Sequence, residues 1–152
     1  MSETVKAMLK RRIAAPVEVV FEACTRSDLL ARWFSPHAFE TCEVEADAQA
    51  GGRFTFRMLG ARGTYAAEGV YREITPPTRI VLTWRWTKGP PEELPDGVIS
   101  LVTFELARDG DGTVLTLTHE GLLDQATADN HATGWSESLE KLGRLLEKWS
   151  HT

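Results

Sequence analysis

The feature that most constrains the fold of this chain is a change of hydrophobic period. Between Glu43 and Glu120 bulky apolar side chains recur at every second residue, and from Ala128 to Trp149 they recur at every third and fourth. The first period belongs to strands with one buried face and the second to an amphipathic helix. Neither apolar face is stable in water alone, so strands that pair must also receive the helix. The strand-like runs carry their bulk around Phe54, Trp84, Trp86, Phe104 and His119, and Trp135 stands on the helical stripe.

Val5 to Ile13 alternates apolar and basic residues and predicts an opening strand with one solvated face. Pro16 suits the start of a helix, and Val17, Val20, Phe21 and Cys24 follow at helical spacing. Ser27 and Asp28 offer capping oxygens to a second short helix through Leu29, Leu30 and Trp33, which Ser35-Pro36 closes. Six strands are then predicted over 43–47, 53–59, 64–74, 79–86, 99–107 and 113–120. Gly69 interrupts the third of these and implies a bulge or a close backbone approach. Asp109-Gly110-Asp111-Gly112 is a hairpin turn, and Lys88 to Gly97, rich in proline and acid, is a surface loop at the strand ends. Ala128, Ala132, Trp135, Leu139, Leu142, Leu145, Leu146 and Trp149 share one stripe of a long closing helix. The order is α+β, an antiparallel sheet of six or seven strands covered on one face by the last helix.

With 152 residues the chain fits one domain, 1–152, which at this size buries roughly 70% of its unfolded surface. Seventeen basic and 22 acidic residues give a net charge of −5 with neither sign gathered in a block, which argues against nucleic-acid binding. No apolar window reaches signal-peptide or membrane-spanning length, so no membrane insertion and a cytoplasmic location are expected. Cys24 and Cys42 are then expected as free thiols.

Several short segments, weak singly, are specific in their order and spacing. They are Ala15-Pro16, Leu30-Ala31-Arg32-Trp33 before a proline, Asp47 ahead of Gly51-Gly52-Arg53-Phe54, Gly69 before Tyr71-Arg72-Glu73-Ile74, Leu82-Thr83-Trp84, Gly112-Thr113 to His119, and Gly134-Trp135. On these the chain resembles the START-like, or SRPBCC, superfamily with its helix-grip fold, and within it the homologues of the heat-shock-protein-90 ATPase activator. The resemblance implies a deep cavity between sheet and closing helix, used across the superfamily for lipids, sterols, polyketides and other apolar ligands. It fixes no activity. The full-length eukaryotic activators carry a further amino-terminal domain that binds the chaperone, and nothing precedes Met1 here, so a chaperone-associated interaction module stands only as the second alternative reading, behind an enzyme.

An apolar small-molecule ligand is the expected partner, held in a cavity lined by Trp33, Phe54, Phe56, Trp84, Trp86, Phe104, His119, His131 and Trp135. The rings of sheet and helix are expected to stand apart and leave room for it. For each residue singly, ordinary core packing is the competing reading. His119 shares a face with Leu115 and Leu117 and points inward, where a buried imidazole needs a partner and carries acid/base capacity. Glu68 with His119 is the sharpest catalytic pair and would serve a cyclase, dehydratase or hydrolase; Glu105 is expected in solvent. His37, His131 and His119 lack the spacing of a metal site, and no cofactor motif is present. Arg57, Arg62 and Arg85 read as solvated. A homodimer through the outer sheet face is compatible with the pattern, and the loop Lys88 to Gly97 is placed where a lid would be.

Overall fold

The computed structural model describes residues 5–35, 41–60, 63–89, 98–122 and 124–149, without the side chains of 41, 42, 148 and 149. The expectations placed on His37, Arg62, the thiol of Cys42, the indole of Trp149 and most of the 88–97 loop lie outside these residues.

Seven strands form one antiparallel sheet: β1 (Val5–Ile13), β2 (Thr41–Ala46), β3 (Arg53–Gly60), β4 (Gly63–Thr75), β5 (Arg79–Lys88), β6 (Ser100–Asp109) and β7 (Gly112–Leu122). Their order across the sheet is β1-β7-β6-β5-β4-β3-β2. From β2 to β7 each strand therefore pairs with its successor in the chain. β1 alone closes over a long separation, with Leu9 opposite Leu117 and Ile13 opposite Thr113. Two short helices, α1 (Val17–Ala23) and α2 (Ser27–Trp33), carry the chain from one sheet edge to the other. The long helix α3 (Gln125–Trp149) packs on β1, β7, α1 and α2. No helix among the described residues is long and apolar enough to cross a membrane.

Period-two alternation sets which side chains meet the helix. Phe54, Phe56 and Met58 of β3 are buried while Arg53, Thr55 and Arg57 between them are exposed. Leu82 and Trp84 of β5, Val102, Phe104 and Leu106 of β6, and Leu115, Leu117 and His119 of β7 continue that buried surface. Leu139, Leu142 and Leu146 of α3 cover it. The outward side is polar, with Glu105 exposed and bonded to Arg79.

Two local expectations are refined. Gly69 is a close backbone approach: a Cβ there would lie 1.8 Å from the Thr83 carbonyl oxygen. The register shifts of β4 fall on either side of it, between Ala66 and Ala67 and between Tyr71 and Glu73. Ser27 does not cap α2, whose first turn receives no side-chain cap; its Oγ instead accepts the backbone N–H of Ala46 at 2.9 Å. That bond ties α2 to the edge strand β2, so the hydroxyl positions the helix rather than starting it.

Candidate functional site

The interior between sheet, α2 and α3 is a bowl of aromatic rings with Trp84 at its centre. Around the Trp84 indole lie Phe34 at 5.9 Å, Phe54 and Phe56 at 5.7 Å each, Trp86 at 5.4 Å, His119 at 6.0 Å and Trp135 at 5.6 Å between ring centroids. Most of these pairs are edge-to-face or tilted, the arrangements favoured by ring quadrupoles. Trp33 and Phe104 extend the cluster, since Trp33 meets Phe34 and Phe104, and Phe104 meets Trp135. All nine residues expected to line a cavity are thus placed in one buried or half-buried cluster. The rings of this cluster touch one another, with Phe34, Trp84 and Trp135 in mutual contact.

Phe34 is the member that the strand and helix patterns overlooked. It follows α2 directly, with φ −82° and ψ 38°, and its ring touches Trp33, Phe54, Phe56, Trp84 and Trp135. Its signal is present in the sequence, because Leu30, Trp33 and Phe34 stand at i, i+3 and i+4 and so share one helical face. Ser100 was overlooked as well. It lies two residues before Val102 on the greasier side of β6 and is buried.

The polar groups of this interior are paired in a definite pattern. Trp135 Nε1 donates to His119 Nδ1 at 3.0 Å, and Trp86 Nε1 donates to His131 Nε2 at 3.0 Å. An indole N–H is a donor only, so each imidazole nitrogen that receives one must be bare. His119 therefore carries its proton on Nε2, which lies 2.6 Å from Ser100 Oγ, and the serine hydroxyl donates onward to the Trp84 carbonyl at 3.3 Å. His131 carries its proton on Nδ1 and donates it to the Thr127 carbonyl at 2.8 Å. The two imidazoles meet edge to face with centroids 4.7 Å apart. Both are held neutral. Burial pushes His119 well below the ordinary imidazole range, and His131 beside it acts in the same direction. Burial also lowers His131, against a raising influence from its bond to Thr127.

This pattern decides what the histidines can do. A serine nucleophile needs a bare imidazole nitrogen facing its hydroxyl and an acceptor behind the other nitrogen. Ser100 and His119 show the reverse, with a donor behind the ring, so the hydroxyl is not activated. Glu68 does not join His119 either. It lies opposite Arg85 across the β4–β5 ladder and is ion-paired to it, while Trp84 and Trp86 on either side of Arg85 point into the bowl. The register on both sides of Gly69 keeps Glu68 on the outer face, so the two side chains proposed as an acid/base pair occupy opposite faces of the sheet.

Among the described side chains, one buried polar atom has no partner. Trp84 Nε1 is sealed from solvent and bonds to nothing. The other indoles are satisfied, Trp33 by the Ala23 carbonyl at 2.9 Å and Trp86 and Trp135 by the histidines. Cys24 is a free thiol, pushed up to about 12 by burial and hence unreactive. No group of three metal-ligating side chains gathers among the described residues. An open depression of about 720 Å³, walled by α2 and by β2 to β5 rather than by α3, reaches the bowl at Phe56. Glu43, Glu45, Arg57 and Glu68 contribute to its wall, with Glu43 and Arg57 paired across it.

A curved antiparallel sheet holding one long carboxy-terminal helix, with aromatic rings between them, is the helix-grip class. The family described as "Activator of Hsp90 ATPase homolog 1-like protein" matches residues 14–147, and the chain belongs to it. Among solved structures, a protein from Chromobacterium violaceum is 32% identical with a TM-score of 0.80, over 93% of this chain and 96% of that one. The AHSA1 protein of Silicibacter pomeroyi is 26% identical with a TM-score of 0.78, over 94% and 98%. CalU16 of Micromonospora echinospora is 25% identical with a TM-score of 0.66, over 95% and 85%. No curated protein matches the chain.

Proposed function

We propose that the protein binds an apolar or aromatic small molecule against the aromatic bowl centred on Trp84, without chemistry of its own, and does so in the cytoplasm. The observation that carries this reading is the unpaired Nε1–H of Trp84. Buried donors are paired in the great majority of proteins, and leaving one unmade costs about 1–3 kcal/mol. In an interior where the neighbouring indoles and imidazoles have matched partners, an orphan at the centre marks a position at which a bound molecule supplies the missing acceptor. Family membership supports the same reading, because helix-grip domains of this superfamily commonly take apolar ligands between sheet and helix.

Occupancy needs room, and Phe34 is the ring that supplies it. The other bowl rings are fixed on strands or within helices, whereas Phe34 stands one residue past α2. Its departure from beside Trp84 and Trp135 opens the Trp84 indole to an entering molecule.

A thermal-shift screen of aromatic and aliphatic compounds tests the reading, with native mass spectrometry of gently purified protein beside it. A ligand at one hundred times its Kd stabilises the fold by about 2.7 kcal/mol. At about 2–4 °C per kcal/mol for a chain of this size, the midpoint rises by several degrees. A flat response to every apolar compound, with no co-purifying mass, would overturn the proposal.

A further inference from the structure

We infer that the ligand is an uncharged molecule carrying a hydrogen-bond acceptor, of the ketone, quinone or ester kind, and that the Nε1–H of Trp84 is the group that orients it. The inference rests on the binding reading above and narrows it to a ligand class and an anchoring residue.

The argument is one of exclusion by what the bowl has left to offer. His119 spends Nδ1 on Trp135 and Nε2 on Ser100, and Ser100 spends its hydroxyl proton on the Trp84 carbonyl. His131 spends both nitrogens, on Trp86 and on Thr127. Trp33 is spent on α1. Among the described side chains the buried polar atom left without a partner is a donor, so the complementary atom on the ligand is an acceptor. A ligand whose polar group only donates, such as an ammonium, finds no acceptor here.

Charge is excluded on separate grounds. The rings in contact with Trp84 are Phe34, Phe54, Phe56, Trp86, His119 and Trp135, none of them charged when His119 is neutral. The nearest arginine in sequence, Arg85, faces outward and is held by Glu68. A carboxylate brought to Trp84 would lose its hydration and gain one neutral N–H in return, which leaves a buried charge without a counter-ion. A carbonyl or ether oxygen loses far less and gains the same bond. The position of Trp84 between sheet and α3 also sets the orientation: the acceptor lies innermost, and the hydrocarbon part extends toward the place of Phe34.

Three probes of one shape separate the possibilities: fluorenone, its hydrocarbon isostere fluorene, and fluorene-9-carboxylate, each titrated at pH 7.5 into the wild-type protein and into Trp84→Phe. In wild type, fluorenone is expected to bind about five- to tenfold more tightly than fluorene, the margin of one neutral hydrogen bond, and the carboxylate more weakly than either. In Trp84→Phe the margin between fluorenone and fluorene should close, whatever the smaller ring does to the affinity of both. Should that variant not fold, the indole N–H resonances of 15N-tryptophan-labelled wild type give the same answer. The Trp84 signal should shift with fluorenone and move much less with fluorene.

Equal affinity for fluorenone and fluorene, or tightest binding of the carboxylate, overturns this inference while leaving the broader binding reading intact. A fluorenone preference that survives in Trp84→Phe overturns the role of Trp84. Absence of binding by all three, alongside a flat apolar screen, overturns the broader reading itself.

Discussion

Trp135 of α3 donates its indole N–H to Nδ1 of His119 in β7 at 3.0 Å, and this bond fixes the imidazole tautomer at the centre of the fold. One turn earlier on the same helix, His131 receives the corresponding bond from Trp86 of β5. The amino-terminal half of α3 is thus fastened to the sheet by two indole-to-imidazole bonds. Trp135→Phe removes one of them and strands a buried acceptor. A loss of about 1–3 kcal/mol in folding free energy is expected by urea denaturation, and an unchanged midpoint would mean that the bond contributes nothing net.

Because both histidines are held neutral by burial, stability should depend on pH in a defined direction. Above about pH 6.5, the ordinary imidazole value, both folded and unfolded chains carry neutral rings and the stabilisation is complete. As pH falls below that value the unfolded chain takes up protons that the folded one refuses, so stability is lost toward each depressed folded pKa. The slope approaches about 1.4 kcal/mol per pH unit for each histidine. Denaturation curves at pH 7.5 and pH 5.5 should show the loss, and His131→Gln should reduce it. A variant slope equal to wild type would show that His131 does not titrate in this window.

Phe34→Ala empties the position beside Trp84 and Trp135. Removing a buried phenylalanine costs about 3–5 kcal/mol when the surroundings hold their shape. An apolar hole of that kind accepts small aromatic molecules, so the variant should be destabilised and yet show a larger midpoint rise with fluorene than wild type does. Collapse of the neighbouring rings into the space would appear as a small stability loss with no gain in binding.

Gly69→Ala forces a methyl group to within 1.8 Å of the Thr83 carbonyl oxygen, a backbone atom of the neighbouring strand. Neither strand can yield without breaking the ladder around the central tryptophan. We expect a loss well above the roughly 1 kcal/mol typical of point substitutions, read as a drop in Tm of several degrees. A neutral result would mean that β4 and β5 separate easily at this point.

Glu68→Gln, in contrast, touches only the outer face. The Glu68–Arg85 pair is part-exposed, with side chains 34% and 40% accessible, and such pairs contribute about 0–1 kcal/mol. Fluorenone affinity should be unchanged. A loss of binding would place Glu68 in the site after all.

How much of this was legible in the sequence follows from the range of the physical signal. The strand parities of Phe54, Phe56, Trp84, Trp86 and Phe104 are local and were readable from alternation alone, as was the stripe that sets Trp135 against them. The inward aim of His119 followed in the same way from Leu115 and Leu117. The partners were not readable, because Ser100, Trp135 and Trp86 approach the histidines across strand pairings and helix packing that no local pattern encodes. The outward aim of Glu68 depended on whether Gly69 shifts the register, and only the β4–β5 ladder answers that. How closely the rings of sheet and helix approach is likewise a question of distance between layers, to which period-two and helical patterns are blind.

β1 and β2 are neighbours in sequence and stand at opposite edges of the sheet. The strands between those edges each pair with a neighbour in the chain, whereas β1 has no place to dock until β7 is made. During synthesis on the ribosome the earliest segment must therefore wait through nearly the whole translation of the chain. Its alternating lysines and arginines, Lys6, Lys10 and Arg12 among them, keep that waiting segment dispersed in water until β7 emerges to receive it.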